Sequence, residues 1–229
     1  YQFLDLVAIS IASDIVPIVD ENRILMKEGL TMIRKKPRVG IKALLDLIKM
    51  PREDINTTKI VFSIGPRINA AGRMGDATTA VKLMIAESEA KGKAFAHELE
   101  SVNMRRRDKD SKTMEEALAM IDDVMDLDET SIMVLYKEDW HLGVIGIVAS
   151  RLVDLYHRPA IMLSSVEGVI KGSGRSIKGF NIYNAMKKCE DLLEQFGRHE
   201  FAAGLTIKDG KLSEFKRRMN EIAYLDLSE

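Results

Sequence analysis

Apolar positions recur at helical spacing through the first half of the chain and gather into short strand-length runs in the second. Residues 1–17 are largely apolar without clean alternation, the pattern of a segment buried within an α/β domain. From Asn22 to Lys35 the spacing of Ile24, Leu25, Gly29, Leu30 and Ile33 predicts a helix, which Pro37 ends. Ile41, Leu44, Leu45 and Ile48 predict another, closed by Met50-Pro51. Ile60 to Ile64 reads as a short strand or a buried turn ahead of Gly65-Pro66. No proline falls between Asp76 and Val124, and apolar residues there keep helical spacing around the charged stretch Arg105 to Asp110. That pattern predicts a long linking helix, solvated on several faces.

Beyond the acidic turn at residues 126–129 the rhythm becomes βαβ-like. Strands are expected at Ile132–Leu135, Pro159–Leu163, Val169–Lys171 and Ala203–Ile207. Helices are expected at Val144–Leu155, Ile182–Phe196 and Glu214–Ala223, the last capped by Ser213. The expected class is therefore α/β, with a compact C-terminal α/β domain built on a mixed sheet. The boundaries are 1–75, a linking segment 76–128, and 129–229.

Composition narrows the function classes. With 46% hydrophobic and 30% charged residues, the 229-residue chain has the makeup of a globular protein. Its 34 Lys and Arg against 35 Asp and Glu leave no global positive charge, so contact with nucleic acid has to come from local clusters. A lone cysteine, Cys189, excludes an internal disulfide and fits a reducing cytoplasm; it reads as a buried neutral thiol. No apolar run reaches membrane-spanning length, and no membrane partner is expected. The chain opens on Tyr1 and an apolar run rather than on Met, which reads as an excised or engineered fragment.

Three glycine-rich segments carry the candidate chemistry. Gly172-Ser173-Gly174-Arg175-Ser176 follows a strand-like run, and Gly197-Arg198-His199 leads to Ala202-Ala203-Gly204. Glycine lets backbone N–H groups approach an anion, arginine offers a planar fork, and hydroxyls add donors. A single Gly/Ser turn is an ordinary turn; two of them, with Arg67, Asn69 and Arg73 in a third segment, point to phosphate. Ser173, Arg175 and His199 are expected to converge on one cleft. Gly65 and Gly72 are expected to permit sharp turns around the third segment, and one of its arginines is expected to pair with the linking helix. Trp140-His141 precedes a helix whose N-terminus favours anions, so His141 reads as a nucleotide anchor, with Trp140 equally a core residue. Asp14 follows an apolar run and is the one promising carboxylate; a helix cap or turn is the plain alternative. The remaining carboxylates lie in charged, exposed contexts and the four histidines are far apart, so no two-metal cluster is legible. The Arg105–Arg107 run reads as a solvated helix face before a DNA contact.

In this order, the segments resemble RecJ-type single-strand-specific exonucleases of the DHH phosphoesterase superfamily. The resemblance is carried by Leu4–Ile9 with Ala12–Pro17 and Glu21–Arg23, Ile64–Met74, Trp140–Leu152, Gly172–Ser176 and the His199 segment. It implies that residues 1–75 are the C-terminal, helical tail of the catalytic α/β domain and that 129–229 are the DHH-associated domain. It also implies a parent enzyme of DNA repair and recombination that hydrolyses single-stranded DNA from the 5′ end with Mn2+ or Mg2+. Asp14 matches a metal-ligating position, and His199 one that reaches the substrate phosphate. Arg67, Asn69, Arg73, His141, Ser173, Gly174, Arg175 and Ser176 match substrate-contacting segments. The family's other metal ligands lie on motifs this chain does not carry, so the fragment is expected to be inactive and to hold metal weakly. Arg198 stands where the family has a second glycine, which puts an arginine where positive φ would be expected. Rival readings are a small-substrate DHH phosphoesterase and a non-catalytic scaffold of the same fold; protein partners are not legible.

Overall fold

A computed structural model describes every residue except 1, 15, 127, 128, 228 and 229, with the side chains of Val124 and Arg198 also outside the description. The chain forms two compact units, Tyr1–Arg107 and Asp108–Glu229.

The first unit is helical. Helices α1 (Leu4–Ser13), α2 (Asp20–Lys35) and α3 (Val39–Leu47) bury the apolar faces that their spacing predicts. Ala8, Ile33, Ile41 and Leu44 are wholly buried in a shared core. Gly29 is where α1 and α2 touch: a Cβ there would lie 2.2 Å from the Leu4 carbonyl oxygen. Asp5 is fully buried and held by Arg38 through two charge-assisted bonds of 2.6 and 2.8 Å.

Ile60–Ile64 is neither strand nor turn. A short helix α4 (Thr57–Lys59), capped by Asn56, runs into a π-helical turn over Ile60–Ile64 and then into α5 (Gly65–Met74). The Gly65 N–H bonds back five residues to the Ile60 carbonyl. Widening the helix here makes room for the ring of Pro66, which has no N–H to continue an ordinary ladder. Burial of Ile60 and Ile64 with Phe62 exposed is a helical spacing that a five-residue apolar run disguises. Gly65 and Gly72 therefore lie within a helix, not at sharp turns. Gly65 serves close packing: a Cβ there would come 2.9 Å from Ser13 Oγ.

After α6 (Thr78–Met84), the 36-residue α7 (Glu89–Val124) crosses the division between the units. Ala96 and Leu99 belong to the core of the first, Ala117 and Ile121 to a core of the second.

The second unit is a mixed five-stranded sheet in the order β1 (Met133–Tyr136), β2 (Ala160–Val166), β3 (Val169–Arg175), β5 (Ala202–Ile207) and β4 (Leu193–His199). β1 and β2 are parallel, joined by α8 (Leu142–Tyr156); the other pairings are antiparallel. Alternation sorts the strands onto two cores. Ala160 and Met162 face α8 and the second half of α7, while Ile161, Leu163, Ala203 and Leu205 face α9 (Ile182–Lys187) and α10 (Leu212–Leu227).

Several expectations change here. Gly172–Arg175 is the second half of β3, not a turn. Gly172 and Gly174 are demanded by packing: Cβ atoms would lie 2.4 Å from Leu163 Cδ2 and 2.6 Å from Ile182 Cδ1. The helix expected over Ile182–Phe196 stops at Lys187, and Leu193–Phe196 joins β4 instead. α10 begins at Leu212, so Ser213 lies inside its first turn rather than at its cap. Arg198 pairs with Ala203 in the β4–β5 ladder, an extended position open to any residue. Cys189 is fully buried, and burial pushes its thiol pKa up.

Candidate phosphate-binding face

The sheet register assembles the candidate site. Residues paired across strands share a face, so three cross-strand rows look toward the α8 side. One row is Lys171, Thr206 and Gln195; the next is Ser173, Gly204 and Gly197; the third is Arg175, Ala202 and His199. Arg175 and His199 thus stand on one face, two strands apart, or about 10 Å by strand spacing. The two glycine-rich segments share a face, but of Ser173, Arg175 and His199, expected in one cleft, only Ser173 lines the cleft that this face forms.

α8 packs on β2 and β3. Beyond it, the same face of β5 and β4 forms the floor of a cleft of about 440 Å3, lined by Leu142, Lys171, Ser173, Gln195, Gly204 and Thr206 among others. Gly197 and Gly204 form a bare patch of this floor. A Cβ on Gly197 would meet nothing within 4 Å, and one on Gly204 would meet only the Gly172 carbonyl oxygen at 4.0 Å. Neither glycine has positive φ. Glycine weakens a strand, and among the described residues neither conformation nor packing requires it here, which leaves this floor open to close approach.

Donors surround that floor. Arg175 Nη1 donates to Ser173 Oγ at 2.9 Å and to the Gly174 carbonyl at 2.8 Å, which fixes the guanidinium beside the hydroxyl. Both side chains lie against Gly146 of α8, where a Cβ would meet Ser173 Oγ at 2.9 Å and Arg175 Nη2 at 3.0 Å. Leu142, the first residue of α8, lines the cleft, so the positive end of the helix dipole lies at its wall. Lys171 is exposed at the far row and adds a cation. The arrangement suits an anion laid along a bare backbone.

The remaining residues of these motifs are placed elsewhere. Gly174 faces α9, on the opposite side of the sheet. Ser176 lies past the end of β3, its hydroxyl donating to the Phe180 carbonyl at 2.6 Å and its N–H to the Phe201 carbonyl at 3.0 Å. His141 is the N-cap of α8: its Nδ1 accepts from the Gly143 N–H at 3.0 Å, which leaves Nε2 as the protonated nitrogen of the neutral ring. It lines a separate pocket of about 340 Å3 with Lys109 and Asp139, and burial, aided by Lys109, lowers its pKa. Trp140 is core: it is 4% exposed and donates from Nε1 to Glu116 at 2.7 Å. Lys137, paired with the same carboxylate, is the main cause of its lowered pKa.

In the first unit, Arg67 is turned toward α7. Its Nε and Nη2 donate to the Glu100 carboxylate and Nη1 to the Ser63 carbonyl at 2.6 Å, so the expected pairing with the linking helix falls on this arginine. Asn69 and Arg73 are exposed and share a face of α5 at i,i+4 spacing. Asp14 is the C-cap of α1 and exposed. It lines a cavity of about 310 Å3 with Asn69 and Ser13, whose buried Oγ has no partner among the described residues. A carboxylate at the negative end of a helix dipole gains from a nearby cation. A cage does not follow: among the described residues no three His, Cys, Asp or Glu side chains are grouped to hold an ion. Also among the described residues, no helix is long and apolar enough to cross a membrane.

Gln195, Thr206 and Lys171 were not singled out by sequence. The alternation Lys171, Ser173, Arg175 carried a signal for one of them, but Gln195 was hidden by the helical reading of its segment.

The comparisons with known proteins agree with one another on the family. The DHHA1 domain model matches residues 129–224. The single-stranded-DNA-specific exonuclease RecJ of Bacillus subtilis is 40% identical over 100% of this chain, and that of Escherichia coli 35% over 96%. The chain spans only 29% of the former and 40% of the latter. The crystal structure of Thermus thermophilus RecJ in complex with Mg2+ superposes with a TM-score of 0.88 at 31% identity, covering 98% of this chain and 34% of that one. Its complex with Mn2+ gives 0.87 at 32% identity, covering 98% and 33%.

Proposed function

We propose, from the premise that this chain belongs to the RecJ family, that it is the strand-holding part of a metal-dependent exonuclease acting 5′ to 3′ on single-stranded DNA. In this reading residues 1–75 are the C-terminal part of the DHH catalytic domain, 76–128 the linking segment and 129–229 the substrate-binding domain. The observation that carries it is the glycine floor of Gly197 and Gly204 beside Ser173 and Arg175. Backbone phosphates have the charge and the slim profile that this surface admits, and phosphate contacts position a strand without reading its sequence. His199 stands at the end of the same face and would meet the next phosphate. Asn69 and Arg73 would hold phosphate on the first unit.

The Mn2+ or Mg2+ used by the intact enzyme would take Asp14 as one ligand. The donors present do not make a site by themselves, so the chain alone should bind single-stranded DNA weakly and leave it uncut. The work proposed for the intact enzyme is in DNA repair and recombination, in the cytoplasm. The test is incubation of the chain with 5′-phosphorylated single-stranded DNA and Mn2+, reading binding and mononucleotide release together. Binding without release supports the proposal. Release that disappears in Asp14→Ala would show a complete catalytic centre and overturn the inactive-fragment reading; absence of binding would overturn the strand-holding role.

A further inference from the structure

The far row of the cleft holds three polar side chains. Lys171 pairs with Thr206 across β3 and β5, and Thr206 with Gln195 across β5 and β4. All three line the cleft together with Ser173. Among the described residues, no hydrogen bond or ion pair engages any of the three side chains. Gln195 reaches this row through a register shift between Leu193 and Gln195. Leu193 pairs with Ile207, and both belong to the core on the α9 side of the sheet. Strict alternation from that pair would set Glu194 opposite Thr206; the extra residue sets Gln195 there instead. An amide thus stands in the floor of the cleft where a carboxylate would repel an anion.

Spacing and donor chemistry select the occupant. Rows two residues apart along a strand repeat at about 6.7 Å. Alternate residues of a strand and consecutive phosphates of a nucleotide chain are separated by the same number of backbone bonds, so the two repeats are alike when both chains are extended. A phosphate at Ser173 and Arg175 therefore places the next one over the far row, if the chain lies lengthwise. There the Lys171 ammonium, the Thr206 hydroxyl and the Gln195 amide can all donate to it. The cleft, at about 440 Å3, is larger than one phosphate group fills. We propose that the row of Lys171, Thr206 and Gln195 is a second phosphate seat, one nucleotide along from Ser173 and Arg175, so that the strand runs lengthwise along β5. This rests on the strand-holding reading above and adds to it the path of the strand and its step.

The test measures oligo-dT binding at several salt concentrations for the whole chain, Lys171→Gln, Arg175→Ala and the double variant. Two seats on two phosphates lower the magnitude of the salt slope by about 0.7 in each single variant and about 1.4 in the double. A double variant whose slope matches that of Arg175→Ala places both cations on one phosphate and overturns the inference. Gln195→Glu restores the carboxylate that the register shift displaces, and should weaken binding about tenfold at low salt. Glu194→Gln changes one charge beside it without entering the row and should leave affinity within about twofold. Lys171, Glu194 and Gln195 are exposed, so unfolding midpoints should hold in these variants. Unchanged affinity in Gln195→Glu overturns this inference alone. No binding of oligo-dT by the unaltered chain overturns the strand-holding reading with it.

Discussion

Gly204 on β5 lies directly opposite Gly197 on β4, and the space above both is open. Each gives up side-chain packing in a strand interior without a conformational need. Ser173 is the third member of their row, and its hydroxyl is oriented by Arg175. The row explains how two glycine-rich segments about twenty residues apart make one surface.

Arg175 should contribute to affinity through charge alone. Each phosphate neutralised on a single strand adds about −0.7 to the slope of log K against log salt. Arg175→Ala should reduce the magnitude of that slope by about 0.7 and weaken binding to all sequences alike. Titrations at several salt concentrations on oligo-dT and a mixed sequence check this; a sequence-dependent loss would contradict it.

Arg67 and Arg73 should separate under mutation. Arg67 is largely buried against Glu100, and removing it strands a half-buried carboxylate. Arg67→Ala should cost about 2 kcal/mol of stability in denaturant unfolding. Arg73 is exposed, so Arg73→Ala should leave stability within about 0.5 kcal/mol and weaken DNA binding.

His141 should make the second unit sensitive to acid. Its folded pKa lies below the usual histidine value, so near pH 6 the unfolded chain takes up a proton that the folded chain resists. Stability is therefore undiminished above the ordinary histidine range and falls as pH drops through it, levelling off below the folded pKa. Protonation also turns Nδ1 from acceptor to donor and removes the cap on Gly143. His141→Ala should cost about 1 kcal/mol at neutral pH and flatten this dependence, while His141→Asp should keep the cap. Unfolding curves at several pH values read both effects.

Asp14 offers one carboxylate at a helix C-terminus, which is too little to replace the water around Mn2+. Calorimetry should find weak binding of Mn2+ to this chain. Stoichiometric micromolar binding lost in Asp14→Ala would contradict this.

How far the sequence was legible depended on whether local pattern and tertiary demand agreed. α2 and α8 were readable because their apolar spacing is the face they bury, and β2 because Ala160–Leu163 is covered on both sides. Ile60–Ile64 and Leu193–Phe196 were misread because short apolar runs fit helix and strand equally. Gly172 and Gly174 looked like turn punctuation; their reason is Leu163, Leu205 and Ile182 on neighbouring elements. Ser173, Arg175 and His199 stood out by residue type. Gln195 and Thr206 become their neighbours only through the order β3, β5, β4, which no linear pattern displays.

The central claim, that the glycine floor is a seat for the DNA backbone, is tested most directly by Gly204→Val. The backbone at Gly204 is ordinary and the nearest atom to an added Cβ is 4.0 Å away, so the variant should fold with unchanged or slightly higher stability. Its branched side chain would occupy the cleft beside Ser173. Measured by fluorescence anisotropy with labelled oligo-dT, binding should fall at least tenfold while the unfolding midpoint holds. Unchanged affinity in a folded Gly204→Val chain would contradict the account.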